Sequence, residues 1–242
     1  MCALGAGDAL VGCTRYCTEP AAELVRVARV GGTKNPAREA IAHLEPDLVL
    51  ANAEENRIED IEWLRARTDV LVHTPRTVPE AAAALRELAA RLGQLQAVQP
   101  FLLRIEAQLA AAEVASLGQR PLRVFYPIWK KPWMSIGGDT FVHDVLSRVG
   151  ADNVCAGAAA RYPEVALDFV RSRGVEAVLL PSEPWEFGGN DRDELAASNA
   201  FGGVPIELCD GRDFCWHGVR MANGLGRAAE LVASLRRARR SR

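Results

Sequence analysis

The amino-acid sequence predicts an α/β fold made of two lobes, each with a central and mainly parallel β-sheet, joined by one long helix. Short apolar runs alternate with amphipathic helical stretches along the 242 residues, which is typical of parallel sheets covered by helices. A long helical stretch with no strand of its own lies at the middle of the chain, where it would connect the lobes. The predicted division is an N-terminal lobe over residues 1–93, a linking helix over 94–120 and a C-terminal lobe over 121–242.

The strands are predicted from apolar runs between turn residues, and the helices from apolar positions at helical spacing with capping residues. The predicted strands are Ala9–Gly12, Leu48–Ala51, Val70–His73, Arg123–Tyr126, Ala177–Leu180 and Val204–Leu208. The helices predicted between them include Pro36–Leu44, Ile58–Arg67 and Phe141–Val149. Strand, polar loop, helix and strand follow one another in both halves, which is a weak internal repeat.

Two helices are predicted in the middle of the chain. The segment from Thr77 to Glu80 has capping-box spacing, and an apolar stripe continues from it to Gly93. The second helix is predicted from about Pro100 to Leu117, roughly 18 residues or on the order of 27 Å long. This second helix is the predicted connector.

Composition and charge exclude several classes of function. The chain is 49% hydrophobic and 25% charged with a net charge of -2, so charge does not indicate nucleic acid or an anionic membrane as a partner. No apolar stretch approaches the roughly 18 residues that cross a bilayer. The six cysteines are too irregular for a disulfide framework or a zinc site; a local disulfide between Cys209 and Cys215 remains open.

The sequence has no recognisable catalytic constellation. It lacks a Gly-x-Ser-x-Gly elbow, a phosphate-binding loop and a dinucleotide fingerprint. Glu54 and Glu55 could form an acid/base pair, but adjacent loop residues need not converge on one point. We therefore predict no catalytic residue, no metal site and no cofactor.

Aromatic and polar side chains collect in the segments that follow the predicted strands. Four of the five tryptophans lie in such segments of the C-terminal half, and ligands bind at the carboxyl ends of parallel strands. Aromatic rings with a few polar groups are the usual lining of a site for a large organic ligand. The predicted ligand-binding residues are Arg15, Tyr16, Glu54, Glu55, Asn56, Tyr126, Trp129, Trp133, Trp185, Trp216, His217 and Arg220.

Several stretches together resemble the helical-backbone class (class III) of substrate-binding proteins of ABC importers, which includes receptors for cobalamin, iron-siderophores and haem. The resemblance covers essentially the whole chain. The matching stretches are Leu10–Gly12 with Arg15–Tyr16, Val30–Pro36, Glu45–Ala51, Glu54–Asn56, Gly137–Phe141, Arg161–Val165 and Asp210–Gly211.

The resemblance implies two Rossmann-like lobes, one backbone helix and a ligand cleft between the lobes. It implies a monomeric binding protein for cobalamin or a related corrinoid, with an iron-siderophore or haem as the alternative ligand. The acidic pair Glu54 and Glu55 favours an uncharged or cationic ligand over an anionic ferric siderophore. The implied partner is a permease dimer, docked through Glu39 and Asp168.

The sequence departs from this class at its N-terminus. Members begin with a secretion signal and a first strand, whereas this sequence starts within the segment that matches their first helix. We therefore expect the N-terminal lobe to lack its usual first strand. The resemblance implies a periplasmic or extracytoplasmic protein; a genuine start would make it cytoplasmic, and a cytoplasmic corrinoid-handling protein or enzyme is the alternative of another class.

Overall fold

A computed structural model describes residues 1–240 and confirms the α/β class with parallel sheets. The strands are β1 (Gly12–Cys13), β2 (Ala28–Arg29), β3 (Leu48–Asn52), β4 (Asp69–His73), β5 (Leu122–Phe125), β6 (Pro127–Trp129), β7 (Met134–Ser135), β8 (Ala151–Asn153), β9 (Ala177–Pro181) and β10 (Ile206–Cys209). The helices are α1 (Ala21–Leu24), α2 (Arg38–His43), α3 (Ile58–Arg65), α4 (Val78–Arg91), α5 (Leu95–Ser116), α6 (Phe141–Arg148), α7 (Leu167–Ser172), α8 (Gly189–Ala197), α9 (Arg212–Cys215) and α10 (Met221–Arg240).

The chain forms two compact units. The first comprises Met1–Thr74 and Arg86–Val98, and the second comprises Pro75–Leu85 and the described residues from Gln99 onward. None of the helices within residues 1–240 is both long enough and apolar enough to cross a membrane.

The second unit is built on a four-stranded sheet with the strand order β10-β9-β5-β8, in which all pairs are parallel. Every residue of β9 is buried, as expected for a central strand covered on both faces. One side of the sheet packs into a cluster made of Phe125, Val154, Cys155, Val170, Val178, Leu180, Phe187, Leu195 and Phe201. Since each fully buried side chain of this size stabilises the fold by about 1.5–3 kcal/mol, this cluster is a major part of the core.

In the first unit, the strands form two parallel pairs. β1 pairs with β2, and β3 pairs with β4 in a continuous register from Leu48 opposite Asp69 to Asn52 opposite His73. The predicted strand Ala9–Gly12 lies too early in the chain, because the Leu10 amide bonds to the Gly7 carbonyl in a turn and pairing starts only at Gly12.

Helix α4 starts with a cap close to the predicted one. Thr77 Oγ1 accepts a hydrogen bond from the Glu80 amide at 3.3 Å, while the Glu80 carboxylate accepts from the Arg76 amide at 2.7 Å. In a capping box the Glu80 carboxylate would accept from the amide of the cap residue, Thr77; here it accepts from the amide one residue earlier.

Helix α5 begins at Leu95, before the predicted Pro100, because the Val98 amide already bonds to the Gln94 carbonyl.

An ionic cluster closes the sheet of the second unit at the amino ends of β5 and β9. The Glu176 side chain is 7% exposed and accepts two hydrogen bonds from Arg120, at 2.5 and 3.0 Å, and one from the Arg123 amide at 3.0 Å. Arg239 of α10 is paired with the same carboxylate. Burial by itself would raise the pKa of Glu176, but the hydrogen bonds from Arg120 and Arg123 hold it below the ordinary value.

We predict that Glu176→Gln lowers the free energy of unfolding by about 1–3 kcal/mol at neutral pH, because it removes the charge that these donors face. A lowered folded-state pKa stabilises the protein above the unfolded-state pKa, and this contribution is lost as the pH falls through the folded-state value. The difference between wild type and variant, measured by urea unfolding, should therefore shrink below about pH 4. Glu207→Gln, at an exposed position, is the control. A difference in unfolding free energy between wild type and Glu176→Gln that does not change with pH would contradict the stabilising role of the Glu176 charge.

Candidate functional site

Three loops meet where the sheet of the second unit ends. β10, β9 and β5 are neighbours and run in parallel, so the segments that follow them emerge side by side. We call this surface, made of residues 126–135, 182–188 and 210–220, the C-terminal loop surface. It carries all the ligand-binding residues that the sequence predicts for the C-terminal half.

The loops after β9 and β10 are joined by hydrogen bonds. The Ser182 amide bonds to the Cys209 carbonyl at 3.0 Å, and the Gly211 amide bonds to Ser182 Oγ at 3.1 Å. A Cβ atom at position 211 would lie 2.8 Å from the Glu183 nitrogen, so only glycine fits this approach. The two loops therefore keep a fixed separation.

Glu183, in the loop after β9, is hydrogen-bonded to Trp216, in the loop after β10. The Trp216 Nε1–H donates to Glu183 Oε2 at 2.7 Å, and Cys215 Sγ lies 3.8 Å from the same oxygen. Burial and then the nearby Glu183 raise the pKa of the Cys215 thiol to about 12, so this thiol stays protonated. The sequence analysis did not assign Glu183 to the site; the available signal was a carboxylate two residues beyond a fully apolar strand.

Trp129 and Trp185 form an aromatic pair of which Trp129 is the exposed member. Their ring centroids are 4.8 Å apart at an interplanar angle of 78°, and Trp129 is 41% exposed while Trp185 packs partly on the core cluster. Trp129 ends β6, which forms a hairpin with β7. Lys130 anchors that hairpin to α8 through Asp191 at 2.8 Å and Glu194 at 2.7 Å.

Of the predicted ligand-binding rings, Tyr126 belongs to the interior and Trp133 lies at its border. Tyr126 is 1% exposed and packs on Phe214 with ring centroids 5.4 Å apart. Trp133 stacks on Phe187 at 5.9 Å with an interplanar angle of 4°. A ring as buried as Tyr126 has no face left for a ligand, so we assign it to the core and no longer count it as a contact. Trp133 is only partly buried and lies at the border of the surface.

The arginines of the C-terminal loop surface are paired with carboxylates. Arg220 donates to Asp210 at 2.6 Å and to Asp213 at 3.0 Å, and Arg212 donates twice to Asp210 at 2.8 Å. These hydrogen bonds, first of all the one from Arg212, hold the pKa of Asp210 below its ordinary value. His217 is exposed and contacts Phe141 edge to face, with centroids 5.8 Å apart.

Three loops of the first unit are also joined to one another. The turn 14–17, the loop 31–36 and the turn 52–56 form what we call the N-terminal loop surface. The Arg15 amide bonds to the Gly31 carbonyl at 2.9 Å, and the Arg15 side chain donates to Asn35 at 3.2 Å. Gly31 has a φ of 92°, and a Cβ atom there would lie 2.8 Å from the Asn35 carbonyl oxygen. The loop 31–36 thus requires glycine at this position.

The predicted polar contacts of the first unit divide into structural and exposed groups. Asn56 donates to the Thr33 carbonyl at 2.9 Å and accepts from the Asn52 amide at 2.8 Å, which joins two loops. The Glu54 carbonyl accepts from Lys34, and Glu55 accepts from Thr33 at 3.4 Å. Tyr16 is 61% exposed, with the Arg15 guanidinium 5.8 Å from its ring centroid. Arg15, Tyr16 and Glu55 therefore face solvent, whereas Asn56 mainly holds the loops.

The two predicted docking carboxylates are exposed. Glu39 lies in the first turn of α2 and Asp168 in the first turn of α7. Within residues 1–240, no group of three or more His, Cys, Asp or Glu side chains could hold a metal ion. A cavity of about 290 Å³ lies elsewhere, between the end of α5 and α10, among residues such as Ala112, Ser116 and Ala233.

Comparison with known proteins identifies a family. The family model described as "Periplasmic binding protein" matches residues 1–205. The vitamin B12-binding protein of Vibrio parahaemolyticus serotype O3:K6 is 27% identical over 180 residues, which cover 73% of this chain and 64% of that protein. The vitamin B12-binding protein of Salmonella typhi is 28% identical over 177 residues, covering 73% and 66%. The match thus spans slightly less than two thirds of these two relatives.

Solved structures share the fold. The periplasmic heme-binding protein RhuT from Roseiflexus sp. RS-1, in its apo form, superimposes with a TM-score of 0.81 at 20% identity, covering 96% of this chain and 93% of that one. The periplasmic vitamin B12 binding protein BtuF of Vibrio cholerae gives 0.79 at 19% identity, covering 97% and 92%. At these identities the likeness concerns the fold alone, and it confirms the predicted class III architecture.

The assignment of Tyr126 to the core generates a prediction. Its hydroxyl has no hydrogen-bond partner in the described part of the chain, and burial raises its pKa well above the ordinary value. Tyr126→Phe should leave the free energy of unfolding unchanged or raise it by up to about 1 kcal/mol, because it removes an unsatisfied buried group. Tyr126→Ala should lower it by about 3–5 kcal/mol. Denaturant unfolding checks both, and a loss above about 1 kcal/mol in the phenylalanine variant would contradict the assignment.

Proposed function

The chain belongs to the periplasmic binding protein family, and we propose that it binds a large, partly apolar organic ligand for delivery to an ABC importer. The observation that carries this proposal is the C-terminal loop surface. It brings the exposed Trp129, its neighbour Trp185 and Trp216 to the carboxyl ends of three adjacent parallel strands. Aromatic rings held on a rigid frame bind flat ligands at a low cost in conformational entropy.

We propose cobalamin or a related corrinoid as the ligand. Two relatives that bear the name vitamin B12-binding protein support this choice, at 27% and 28% identity. Trp129, Trp185 and Trp216 would supply stacking and apolar contact, with Trp133 at the border. Arg15, Tyr16, Glu54, Glu55, His217 and Arg220 would supply polar selection, with Asn56 holding the loop that carries the glutamates.

The charges of both surfaces favour an uncharged or cationic ligand. Arg220 and Arg212 already share Asp210, and Arg220 also contacts Asp213. An anionic ligand would have to compete with these carboxylates. On the first unit, Glu55 is exposed beside the loop 31–36. We therefore rank an anionic ferric siderophore below a corrinoid.

Haem is the second candidate ligand. A solved structure that shares the fold is named as a heme-binding protein, and His217 is an exposed imidazole on the C-terminal loop surface. A neutral imidazole nitrogen is a common axial ligand of haem iron. The protein would still act as a binder, with no bond of the ligand made or broken.

We propose that the protein works outside the cytoplasm as a monomer and docks on a permease dimer through Glu39 and Asp168. Both carboxylates are exposed in the first turns of short helices, so arginines of a partner could reach them. The family to which the chain belongs supports the location.

The ligand is tested by titrating the protein with cyanocobalamin, cobinamide, hemin and a ferric siderophore while recording tryptophan fluorescence. We expect micromolar or tighter binding of a corrinoid, weakened about tenfold or more by Trp129→Ala and by Trp216→Ala, because each removes about 1.5–3 kcal/mol of aromatic burial. Trp63→Ala is the matched control, because Trp63 lies on α3 and outside both loop surfaces. Its ring centroid is 3.7 Å from the guanidinium carbon of Arg67. His217→Ala should weaken hemin alone. Absence of binding by all four probes, or an equal loss in the control, would exclude the proposal.

The transport partner is tested with Glu39→Lys and Asp168→Lys. We expect each variant to keep the affinity of the wild type for the ligand but to lose at least tenfold in affinity for a corrinoid-importing ABC permease in nanodiscs, because a charge-assisted contact becomes a repulsion. Glu62→Lys, at an exposed site on α3, is the matched control. Equal binding of all three variants to the permease would argue against docking through these residues.

A further inference from the structure

The turn that carries Arg15 and Tyr16 starts and ends at cysteines. Cys13 ends β1 and is buried, whereas Cys17 is exposed and closes the turn with its amide 3.2 Å from the Thr14 carbonyl oxygen. Burial and then the nearby Cys17 raise the pKa of the Cys13 thiol. Thr14 Oγ1 lies 3.6 Å from Cys17 Sγ. Two cysteines separated by three residues therefore lie at the two ends of one tight turn.

Arg29 holds both ends of this turn. One guanidinium nitrogen, Nη1, donates to Cys13 Sγ at 3.2 Å, to the Cys17 carbonyl at 2.7 Å and to the Thr14 carbonyl at 3.0 Å. The sheet fixes this arrangement, because Cys13 and Arg29 are direct partners in the β1–β2 register. A cation beside the sulfur also favours its thiolate form, which is the nucleophile in thiol–disulfide exchange.

We propose that Cys13 and Cys17 form a reversible disulfide by exchange with a small-molecule disulfide such as oxidised glutathione. The Cys17 thiolate attacks one glutathione sulfur, forming a mixed disulfide and releasing one glutathione thiolate. The Cys13 thiolate then attacks Cys17 Sγ, closing the intramolecular bond and releasing the second glutathione thiolate. The two protons lost by the cysteines are taken up by the two glutathione thiolates. Two protein thiols are oxidised, and one small disulfide is reduced to two thiols.

The exposures of the two sulfurs set the order of these steps. Cys17 is exposed and meets the small molecule first, whereas burial raises the pKa of Cys13, which makes the closing step the slower one. Cys215 lacks this setting, because its thiol faces the carboxylate of Glu183 rather than a guanidinium. None of the six cysteines, all of which lie in the described region, is in a disulfide in this structure.

The disulfide has a consequence for the N-terminal loop surface. It would lock the turn that carries Arg15 and Tyr16, both predicted to touch the ligand. This consequence rests on the proposed function, whereas formation of the disulfide does not. The modification would act on ligand contact through the shape of the turn alone.

Mass spectrometry of the full chain tests the disulfide without any ligand. The reduced protein is equilibrated with oxidised glutathione, blocked with N-ethylmaleimide and digested with trypsin, which cleaves after Arg15, between the two cysteines. We expect residues 1–15 to be linked to residues 16–26, with a loss of two hydrogen atoms in the intact mass. Cys2→Ser serves as the background because Cys2 lies in the same tryptic peptide as Cys13.

The variants separate the two steps. In that background, Cys13→Ser should stop at a stable glutathione adduct on Cys17, Cys17→Ser should lose the link, and Arg29→Gln should form it at least threefold more slowly. Circular dichroism checks that the wild type is folded. If the folded wild type yields only the glutathione adduct, or two alkylated cysteines, the proposal is overturned. Repeating the ligand titration on the linked protein should change the affinity at least threefold; an unchanged affinity would overturn only the consequence for binding.

Discussion

The parallel pairing of β9 with both of its neighbours is the constraint on which the C-terminal loop surface depends. β9 is buried along its whole length and pairs with β10 from Val178 to Pro181 and with β5 at Ala177 and Val178. Because the three strands point the same way, their following loops must leave the sheet at one edge. A register shift of one residue would exchange the faces of Val178 and Leu179 and would separate the loops. The position of the aromatic residues is thus a result of core packing.

The two ends of this sheet have different roles. At the amino ends, Glu176 joins Arg120, the Arg123 amide and Arg239, so that helix and strand ends are held by one buried carboxylate. At the carboxyl ends, Gly211 lets two loops touch, and Glu183 orients the Trp216 ring through its Nε1–H. Charge is therefore neutralised within the protein at the end that holds the fold together. At the other end, the polar atom of the Trp216 ring is paired with Glu183, and Trp129 is 41% exposed.

The sequence predicted the strands that carry long apolar runs and missed those that do not. β3, β4, β5 and β9 lie within one residue of their predicted bounds, whereas β2 consists of two exposed residues, Ala28 and Arg29, and contains no such run. The hairpin β6–β7 was missed because its Trp-Lys-Lys-Pro segment reads as a loop, and the anchor of Lys130 on α8 depends on residues about 60 positions away. In the same way, the sequence could place Tyr126 and Trp129 after one strand but could not show that Tyr126 points into the core.

The charge preference that we propose for the C-terminal loop surface follows from how its charged side chains are paired rather than from how many there are. Arg212 and Arg220 are two cations, but both are bonded to Asp210, and Arg220 also bonds to Asp213, which Arg227 shares. An anionic ligand gains Arg220 only by displacing one of these carboxylates, so it gains the difference between two charge-assisted hydrogen bonds and leaves a carboxylate without its partner. An uncharged ring would not compete with the arginines for these carboxylates. Under the proposed function, pairing within the protein would therefore favour stacking over charge.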